Sequence, residues 1–470
     1  MRRPLACGMS DEPDAAGGDA FERVVARVRE RVDPSDEEWA RMRDVAAELT
    51  ERAADAVAEF CEGADVLQVG STARGTWIAG DRDVDLFVRF PSDVDREDLE
   101  SWGLEVGHAV LPEGQEEYAE HPYVKGEYRG FDVDCVPCYA VESAADIRSA
   151  VDRTPFHTAY LEERLDEALA ADVRVTKQFL KGIGVYGSDL QTRGFSGYVT
   201  ELLVLEYGGF REFVEAVADW HPPVKMDPAG HAAASFDDAL VVVDPTDPER
   251  NVAAVCSTAN VARLQHHARA LLADPSVDRF FPSDPEPLSA KAVREHVQRR
   301  GTTPVALAFS PPDLVDDQLW PQLRRSLAGV VDELDRRGFD VLRSTAFARE
   351  DRERAALFAE LEVAERPTIT RHDGPPVHVQ AHADGFYEKY VDDPDAYGPF
   401  VDDDRYVVER AREHETAVAF LESDAVFDVR MGTHVATALE EDYDVLAGDD
   451  VAALAAEFGV ELARYFDPAP

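Results

Sequence analysis

Residues 70–85 of this 470-residue chain read GSTARGTWIAGDRDVD and follow a short apolar run, Val66–Val69. Gly70 stops that run, and Ser71 is then expected to cap a short helix, with Arg74 three residues further on. Backbone N–H groups at the start of a helix and a hydroxyl that faces the same way suit phosphate oxygens. The turn at Gly70 therefore predicts a site for a polyphosphate such as a triphosphate.

The same segment ends in two alternate carboxylates, Asp83 and Asp85. The apolar run Leu86–Val88 follows, so we expect both on a strand, where residues two apart project from the same face. Two like charges held that close repel each other unless a divalent cation lies between them, and Mg²⁺ prefers oxygen ligands. An Asp-x-Asp pair is common on solvated strand edges, but the preceding turn and Arg74 favour a metal site. Together these residues indicate metal-dependent nucleotidyl transfer.

A second strand is predicted over Tyr128–Tyr139, and it supplies further carboxylates. Asp132 and Asp134 share one face of this strand, and apolar residues occupy the other. Either aspartate can provide a third carboxylate, and the spacing alone does not choose between them.

The chain is strongly acidic, with 95 Asp and Glu residues against 48 Lys and Arg, a formal net charge of -47. The acidic residues run from end to end, which indicates a surface adapted to high salt. The alternative is a disordered acidic protein, but the hydrophobic content of 45% argues against it. Only six of the basic residues are lysine: Lys125, Lys177, Lys181, Lys225, Lys291 and Lys389.

This charge argues against nucleic-acid binding at low salt, because phosphate contacts normally require a basic surface. At molar salt the Debye length falls to about 3 Å, so distant acidic residues are screened while close arginine contacts survive. Binding to a nucleic acid therefore stays open.

The five cysteines are Cys7, Cys61, Cys135, Cys138 and Cys256, an odd number without the spacing of a disulfide framework. A reducing cytoplasm is expected. The Cys135-x-x-Cys138 pair has no second pair with which to form a zinc site, so buried strand positions are the better interpretation. We find no signal peptide and no apolar run long enough for a bilayer, and we predict a cytoplasmic protein without a membrane partner.

Helical periodicity predicts helices over 21–62, from Thr154 to about Leu169, over 172–181 and, capped by Ser196, over 197–207. Thr154 is the expected cap of the second of these, with Pro155 at its first position.

From about Thr302 the pattern becomes strand, helix, strand, strand, over 305–309, 318–336, 339–346 and 355–363. That order predicts a ferredoxin-like or RNA-recognition-like α+β domain. The acidic stretch 392–404 is interpreted as a solvated loop.

An ordered series of motifs resembles the class I, archaeal-type CCA-adding enzymes, which are tRNA nucleotidyltransferases, and the similarity runs from about residue 20 into the C-terminal part. The motifs are Gly70–Ser71 with Arg74–Trp77, Asp83–Asp85, His121–Val124, Val133–Tyr139, Ser149–His157, Arg193–Tyr198, Asp244–Pro245 with Arg250–Val252, and Leu319–Leu323. The acidic composition suggests a member from a halophilic archaeon.

The resemblance implies an α+β multidomain fold. Its first domain is a polymerase β-like nucleotidyltransferase domain over 21–153. The residues before about Glu22 are polar and rich in Gly, Ala and Asp, so their composition predicts a disordered N-terminus over 1–20, with Met1 or Met9 as the start. A helical central domain that recognises the nucleotide base follows over 154–300. A ferredoxin- or RRM-like RNA-binding domain with a tail occupies 301–470.

The resemblance also implies roles for individual residues. Asp83, Asp85 and Asp134 are the expected catalytic carboxylates and the ligands of two Mg²⁺ ions. The family often has Glu at the first of these positions, and Asp83 is a shorter ligand. The expected ATP and CTP contacts are Ser71, Arg74, Thr154, His157, Lys177, Tyr186 and Arg250.

Several of these residues have a simpler alternative role. His157 can be an ordinary third-position helix residue and Thr154 only a helix cap. Lys177 can be a solvated cation and Tyr186 a core residue. Arg250, which resembles the arginine that reads the base edge, can instead be a loop arginine that pairs with Asp244 or Asp247. For Lys177 the simpler role is weakened, since the chain has so few lysines and a compact charge suits a phosphate.

The implied activity is template-independent addition of C, C and A to the 3' end of tRNA, from CTP and ATP, with release of pyrophosphate. A poly(A)- or oligo(A)-synthesising RNA nucleotidyltransferase and a non-catalytic RNA-binding protein are the alternatives. The acceptor arm of tRNA is the expected partner, and a homodimer is left open.

Overall fold

The computed structural model describes residues 20–118 and 120–470. The predicted disordered segment lies outside these residues, apart from Ala20 at the start of the first helix, as do Cys7 and both candidate start methionines. The chain divides after Ser283 into two compact units.

The sequence predicted a domain boundary at 300, whereas the structure divides the chain earlier. The reason is the helix Ala290–Arg300, which buries Val293 and Val297 in a core of the second unit, against residues such as Phe358. An amphipathic helix belongs to the core that covers its apolar face.

The first unit is mixed α and β. Its helices are α1 (Ala20–Val32), α2 (Asp36–Ala58), α3 (Gly70–Arg74), α4 (Arg96–Val110), α5 (Thr154–Glu162), α6 (Glu167–Gly182), α7 (Gly197–Tyr207), α8 (Phe210–Ala218) and α9 (Thr258–Ala273). Its strands are β1 (Asp65–Val69), β2 (Asp83–Pro91), β3 (Gln115–Tyr118), β4 (Pro122–Tyr128), β5 (Phe131–Ala140), β6 (Val224–Met226), β7 (Leu240–Asp244) and β8 (Asp247–Asn251). Short 3₁₀ turns lie at Ala144–Asp146, Ala150–Arg153 and Val277–Arg279.

The main sheet of the first unit has the strand order β1-β2-β5-β4-β3, and only the β2–β5 pair in it is parallel. Val84, Leu86 and Val88 of β2 pack with Val133 and Cys135 of β5 in a core that α2 and α4 also line. The predicted strands around the paired aspartates are thus confirmed. The one predicted over Tyr128–Tyr139 begins only at Phe131, because Arg129 and Gly130 form a turn with positive φ.

The rest of the first unit is largely helical and has its own core, in which Phe179, Phe210 and Phe280 contact one another. Ser196 caps α7 as predicted, with its hydroxyl accepting from the backbone N–H of Val199 at 3.1 Å. The small sheet β6-β7-β8 lies in this part of the chain.

Some predicted helix boundaries are wrong. The stretch 21–62 forms two helices because Pro34 cannot continue α1. The helix at Thr154 ends at Glu162, well before Leu169, because the side chain of Asp166 caps a new helix. Thr154 is the first helical residue of α5 and does not cap it.

The second unit continues the numbering. Its helices are α10 (Ala290–Arg300), α11 (Asp316–Arg337), α12 (Gln380–Tyr390), α13 (Ala417–Leu421), α14 (Thr433–Glu441) and α15 (Ala455–Phe466). Its strands are β9 (Thr303–Phe309), β10 (Val341–Ala348), β11 (Ala355–Leu361), β12 (Ile369–Pro376), β13 (Ala396–Asp402), β14 (Arg405–Ala411) and β15 (Asp444–Ala447). Short 3₁₀ helices lie at Asp424–Asp428 and Gly448–Leu454.

The order β10-β11-β9-β15 with antiparallel pairing makes a four-stranded sheet, and the predicted strand, helix, strand, strand sequence is confirmed in β9, α11, β10 and β11. The arrangement is compatible with a ferredoxin-like fold. Side chains of α11 cover one face of this sheet, and those of α10 and α15 cover the other.

A separate three-stranded sheet, β12-β14-β13, lies between β11 and β15 in the chain. The interpretation of 392–404 as a loop is wrong for Ala396–Asp402, which forms β13 and pairs with β14. Asp402 at the end of β13 and the following Asp403 and Asp404 remain exposed. Among the residues that the structure describes, no helix combines the length and the apolar character that a membrane crossing needs.

Candidate active site

The turn at Gly70 brings the two ends of the 70–85 motif together. Gly70 has a φ of 78°, and a Cβ atom there would lie 2.0 Å from Oδ2 of Asp85. Only glycine allows this close approach in this backbone conformation. Ser71 is the second residue of α3, whose cap is Val69 without a side-chain hydrogen bond, so the predicted capping role of Ser71 is wrong.

The register of the parallel β2–β5 pair places four carboxylates on one face of the sheet. Asp83 lies beside Asp132, and Asp85 lies beside Asp134. Adjacent strands are about 4.8 Å apart, so each pair is close. Sequence alone did not choose between Asp132 and Asp134, and the register makes Asp134 the neighbour of the more buried Asp85.

The crowding of these carboxylates changes their acidity. Burial, followed by the charges of Asp134 and Asp83, raises the pKa of Asp85 from 3.8 to about 6. Burial and the charge of Asp81 raise the pKa of Asp83. Both shifts follow first from burial and then from the neighbouring negative charges, which a bound cation would offset.

Lys125 on β4 is the cation beside this face, with its Nζ 3.3 Å from Oδ1 of Asp134. Burial is the largest single influence on Lys125 and lowers its pKa, but Asp134 together with the nearby Tyr123 and Asp132 raises it by more, so the net shift is upward. The approach lacks hydrogen-bond geometry, and Oδ1 of Asp134 is buried without a hydrogen-bond partner. This oxygen is therefore ion-paired without a hydrogen bond, and it can still accept a bond from a ligand.

The donor set fits a hard divalent cation, since aspartate oxygens on one face of a sheet are the ligands that Mg²⁺ prefers. Within the described residues, however, no three Asp, Glu, His or Cys side chains are already arranged around a common point as metal ligands. Asp85 is directed at Gly70, and Asp134 lies beside Lys125. The site therefore has the oxygen donors that suit a divalent cation, and its described side chains do not converge on one point.

The two cations predicted to contact a triphosphate, Arg74 and Lys177, come together although they are 103 positions apart. Both are bound to Glu201, a fully buried residue of α7 that sequence reasoning missed. Lys177 is 3% exposed, so its simpler role as a solvated cation is wrong. The sequence did contain a signal for this role, since Glu201 is a carboxylate within the apolar run of a helix predicted as core. A charge buried in a core requires a partner of opposite charge, so its position predicts nearby cations.

The helix α6 also holds the segment between the turn and the aspartates. Arg174 donates to the carbonyl of Gly75 at 2.6 Å, and Lys177 donates to that of Thr76 at 3.0 Å. Lys181 lies 3.4 Å from Asp81. This helix thus fixes the chain that joins the phosphate turn to β2.

A second group of predicted residues surrounds Asp244, which is fully buried. Its Oδ2 lies 2.8 Å from Nε2 of His157 and 3.5 Å from Nη1 of Arg250. The ring of His157 stacks on Tyr198 at 4.0 Å. Arg250 therefore does contact Asp244, as its simpler alternative role expected, and much of its side chain remains exposed for a ligand.

Tyr186 and Thr154 complete the predicted nucleotide contacts. Tyr186 is mostly buried, and Nζ of Lys181 lies 5.5 Å from its ring centre. Burial raises its pKa, and the charges of Glu201, Asp81 and Asp83 add to this, which places the phenol near the carboxylate face. Thr154 is half-buried at the start of α5, the helix that carries His157.

The predicted cysteine positions are confirmed, since Cys135 and Cys138 are buried in β5. Burial, and then the charge of Asp134, raises the pKa of the Cys135 thiol to about 12, so this thiol stays protonated near neutral pH.

Three protein-family models match the chain. Residues 51–157 match the family model of the nucleotidyltransferase domain, 171–281 that of the second domain of tRNA nucleotidyltransferase, and 300–448 that of the C-terminal domain of CCA-adding enzyme. The chain is therefore a nucleotidyltransferase, and members of this superfamily normally use a divalent metal.

Similarity to individual proteins identifies the family of nucleotidyltransferases to which the chain belongs. The CCA-adding enzyme of Haloarcula marismortui is 61% identical over 96% of this chain and all of that protein. The CCA-adding enzyme of Halorubrum lacusprofundi is 62% identical over 96% of this chain and 100% of its own length. That of Halobacterium salinarum is 60% identical over 95% of this chain and 98% of its own length. The chain belongs to the CCA-adding enzyme family, and these relatives come from halophilic archaea, as its acidic composition suggested.

Proposed function

We propose that this protein adds C, C and A to the 3' end of tRNA without a nucleic-acid template, using CTP and ATP and releasing pyrophosphate. The observation that carries the proposal is the β2–β5 register, in which Asp85 and Asp134 are neighbours directly against the Gly70 turn. Family membership over nearly the whole chain supports tRNA as the acceptor.

In this proposal Asp83, Asp85 and Asp134 are the catalytic residues and hold two Mg²⁺ ions. The carboxylate crowding that raises the pKa of Asp85 supports this, because bound cations would relieve it. When bound, the metal supplies Lewis-acid stabilisation of the attacking and leaving oxygens. The three aspartates orient the 3'-hydroxyl of the tRNA towards the α-phosphate, and pyrophosphate leaves on the opposite side.

Ser71, Arg74 and Lys177 bind the triphosphate. The fixed orientation of Arg74 and Lys177 supports this role, since donors that are already held in place lose little conformational freedom when they bind phosphate oxygens. Thr154, His157, Tyr186 and Arg250 contact the nucleoside, and Arg250 reads the base edge. The exposed side of Arg250 next to Asp244 supports that assignment.

The acceptor arm of tRNA is the proposed partner of the C-terminal part. Duplex RNA is recognised mainly by its shape and backbone, which suits an acidic protein whose distant charges are screened in concentrated salt. A cytoplasmic location completes the proposal.

The test offers tRNA without its last three nucleotides to the enzyme in molar KCl with Mg²⁺. We expect two added nucleotides with CTP alone, none with ATP alone and three with both. Extension that uses ATP and ignores CTP would favour a poly(A)- or oligo(A)-synthesising enzyme. No transfer to any RNA would favour a non-catalytic RNA-binding protein.

A further inference from the structure

Glu201 is a fully buried carboxylate that the proposed mechanism does not use. Its Oε2 accepts hydrogen bonds from Nε and Nη2 of Arg74 at 3.1 and 2.8 Å. Its Oε1 accepts from the hydroxyl of Thr76 and lies 3.6 Å from Nζ of Lys177. A buried carboxylate is costly unless it is both paired and hydrogen-bonded, and Glu201 meets both conditions.

The partners of Glu201 come from two parts of the chain. Arg74 and Thr76 directly follow the Gly70 turn, whereas Lys177 belongs to α6. Through its ion pairs with Arg74 and Lys177, Glu201 connects the segment after the Gly70 turn to α6. Arg74 is anchored once more, by a hydrogen bond from Nη1 to the hydroxyl of Thr158 at 3.1 Å.

The charges of the cluster do not cancel. Arg74 and Lys177 are two cations against one carboxylate, so a net positive charge remains beside the turn. Burial raises the pKa of Glu201, but the charges of Arg74 and Lys177 outweigh it and the net shift is downward. Without Glu201, two cations would face each other in a poorly solvated place and would move apart.

Resting on the proposed function, we infer that Glu201 is a positioning residue for the incoming nucleotide. It holds Arg74 and Lys177 in the orientation in which both reach the triphosphate of CTP or ATP, and it does not contact the nucleotide itself. The hydrogen bonds to Glu201 and Thr158 leave part of the guanidinium fork of Arg74 available to phosphate oxygens.

The test is Glu201→Gln, which keeps the shape of the side chain, removes its charge and replaces one acceptor oxygen by an NH2 donor. We expect KM for both CTP and ATP, and Kd for CTP measured by equilibrium binding with Mg²⁺, to rise about 10-fold, as the loss of a charge-assisted interaction does. At saturating nucleotide, kcat should stay within about 3-fold, because the carboxylates of β2 and β5 are untouched.

The matched control is Glu360→Gln in the second unit. Glu360 is also fully buried and also binds an arginine and a threonine hydroxyl, Arg300 and Thr302. The control loses the same charge and should keep the KM of the wild type. If both variants changed KM alike, or if Glu201→Gln lowered only thermal stability, Glu201 would be a structural residue and the inference would be overturned.

Two further measurements cover the cases in which Glu201→Gln does not fold or the wild type does not extend tRNA. If Glu201→Gln does not fold, Glu201→Asp keeps the charge on a shorter side chain and should raise KM by a smaller factor, and an unchanged KM would overturn the inference. If the wild type binds CTP without extending tRNA, the proposed function fails, and the Kd comparison still decides the role of Glu201.

Discussion

The two large sheets of this chain place acidic residues in opposite circumstances. On the β2–β5 pair, four aspartates share one face, and burial together with their mutual repulsion raises the pKa of Asp85 to about 6. In the four-stranded sheet of the second unit, helices cover both faces and the buried Glu360 is bound by Arg300, Thr302 and Tyr465. A buried carboxylate whose bonds are all made costs the fold little, whereas crowded, poorly paired carboxylates lower its stability and are typical of functional sites.

Glu201 shows that complete pairing does not by itself exclude a part in function. It is as fully satisfied as Glu360, but its partners are the cations predicted to contact the triphosphate. The identity of the partners, and not the burial of the carboxylate, separates the two cases.

The largest expected effect is that of Asp85→Ala. Nucleotide incorporation should fall by more than about 10³-fold, because a carboxylate that organises the reacting oxygens is lost, while tRNA affinity should stay close to that of the wild type. Single-turnover extension and a tRNA binding assay measure the two quantities. Asp132→Ala, on the same face but beside Asp83, is the matched control and should lose less than about 10-fold. Normal turnover by Asp85→Ala would remove the basis for treating this face as catalytic.

Next is Gly70→Ala, which should lower kcat by about 10²-fold, since its methyl group would displace Oδ2 of Asp85 and misplace the carboxylate. The control is Gly301→Ala, because Gly301 also has a positive φ, 68°, but a Cβ atom there would meet nothing within 4 Å. It carries a similar backbone strain and should keep wild-type kcat. Equal activity losses in the two variants would mean that strain, and not the contact with Asp85, governs the turn.

A third prediction concerns stability without metal. Because the folded-state pKa of Asp85 lies above 3.8, the folded protein binds the proton more tightly than the unfolded chain. The stabilisation by this proton is complete below about pH 3.8 and is lost as the pH rises through about 6. Asp85→Asn should therefore be more stable than the wild type in EDTA at pH 7.5, by up to about 3 kcal/mol. Denaturant unfolding should show the difference shrinking towards pH 4.5, and a difference independent of pH would contradict the assignment.

The smallest expected effect belongs to the second sheet. Glu360→Gln should lower the free energy of unfolding by roughly 1–3 kcal/mol, because the charge-assisted bonds from Arg300 weaken in a buried place. Incorporation at saturating substrates should not change. If incorporation at saturating substrates fell in Glu360→Gln, Glu360 would have a part in function, and the contrast between the two sheets would not hold.

Local chemistry explains which features the sequence could predict. The strand that carries Asp83 and Asp85, the Ser196 cap and the β9-α11-β10-β11 order all depend on periodicity, turn residues and caps that act within a few positions. Ser71 and Thr154 were wrongly predicted as helix caps, because the caps are Val69 and Arg153. The residue at which a short helix begins depends on the segments packed around it as well as on local sequence.

By itself, the sequence determined the chemistry of this protein: a glycine turn followed by alternate carboxylates, a very acidic surface, and a motif series typical of one family. Only the tertiary structure decided that Asp134 is the neighbour of Asp85, that Gly70 contacts that carboxylate, and that Glu201 binds Arg74 and Lys177. The physical reason is that register, close approach and burial depend on segments far apart in the chain, and no local pattern contains the partner that a buried charge will find.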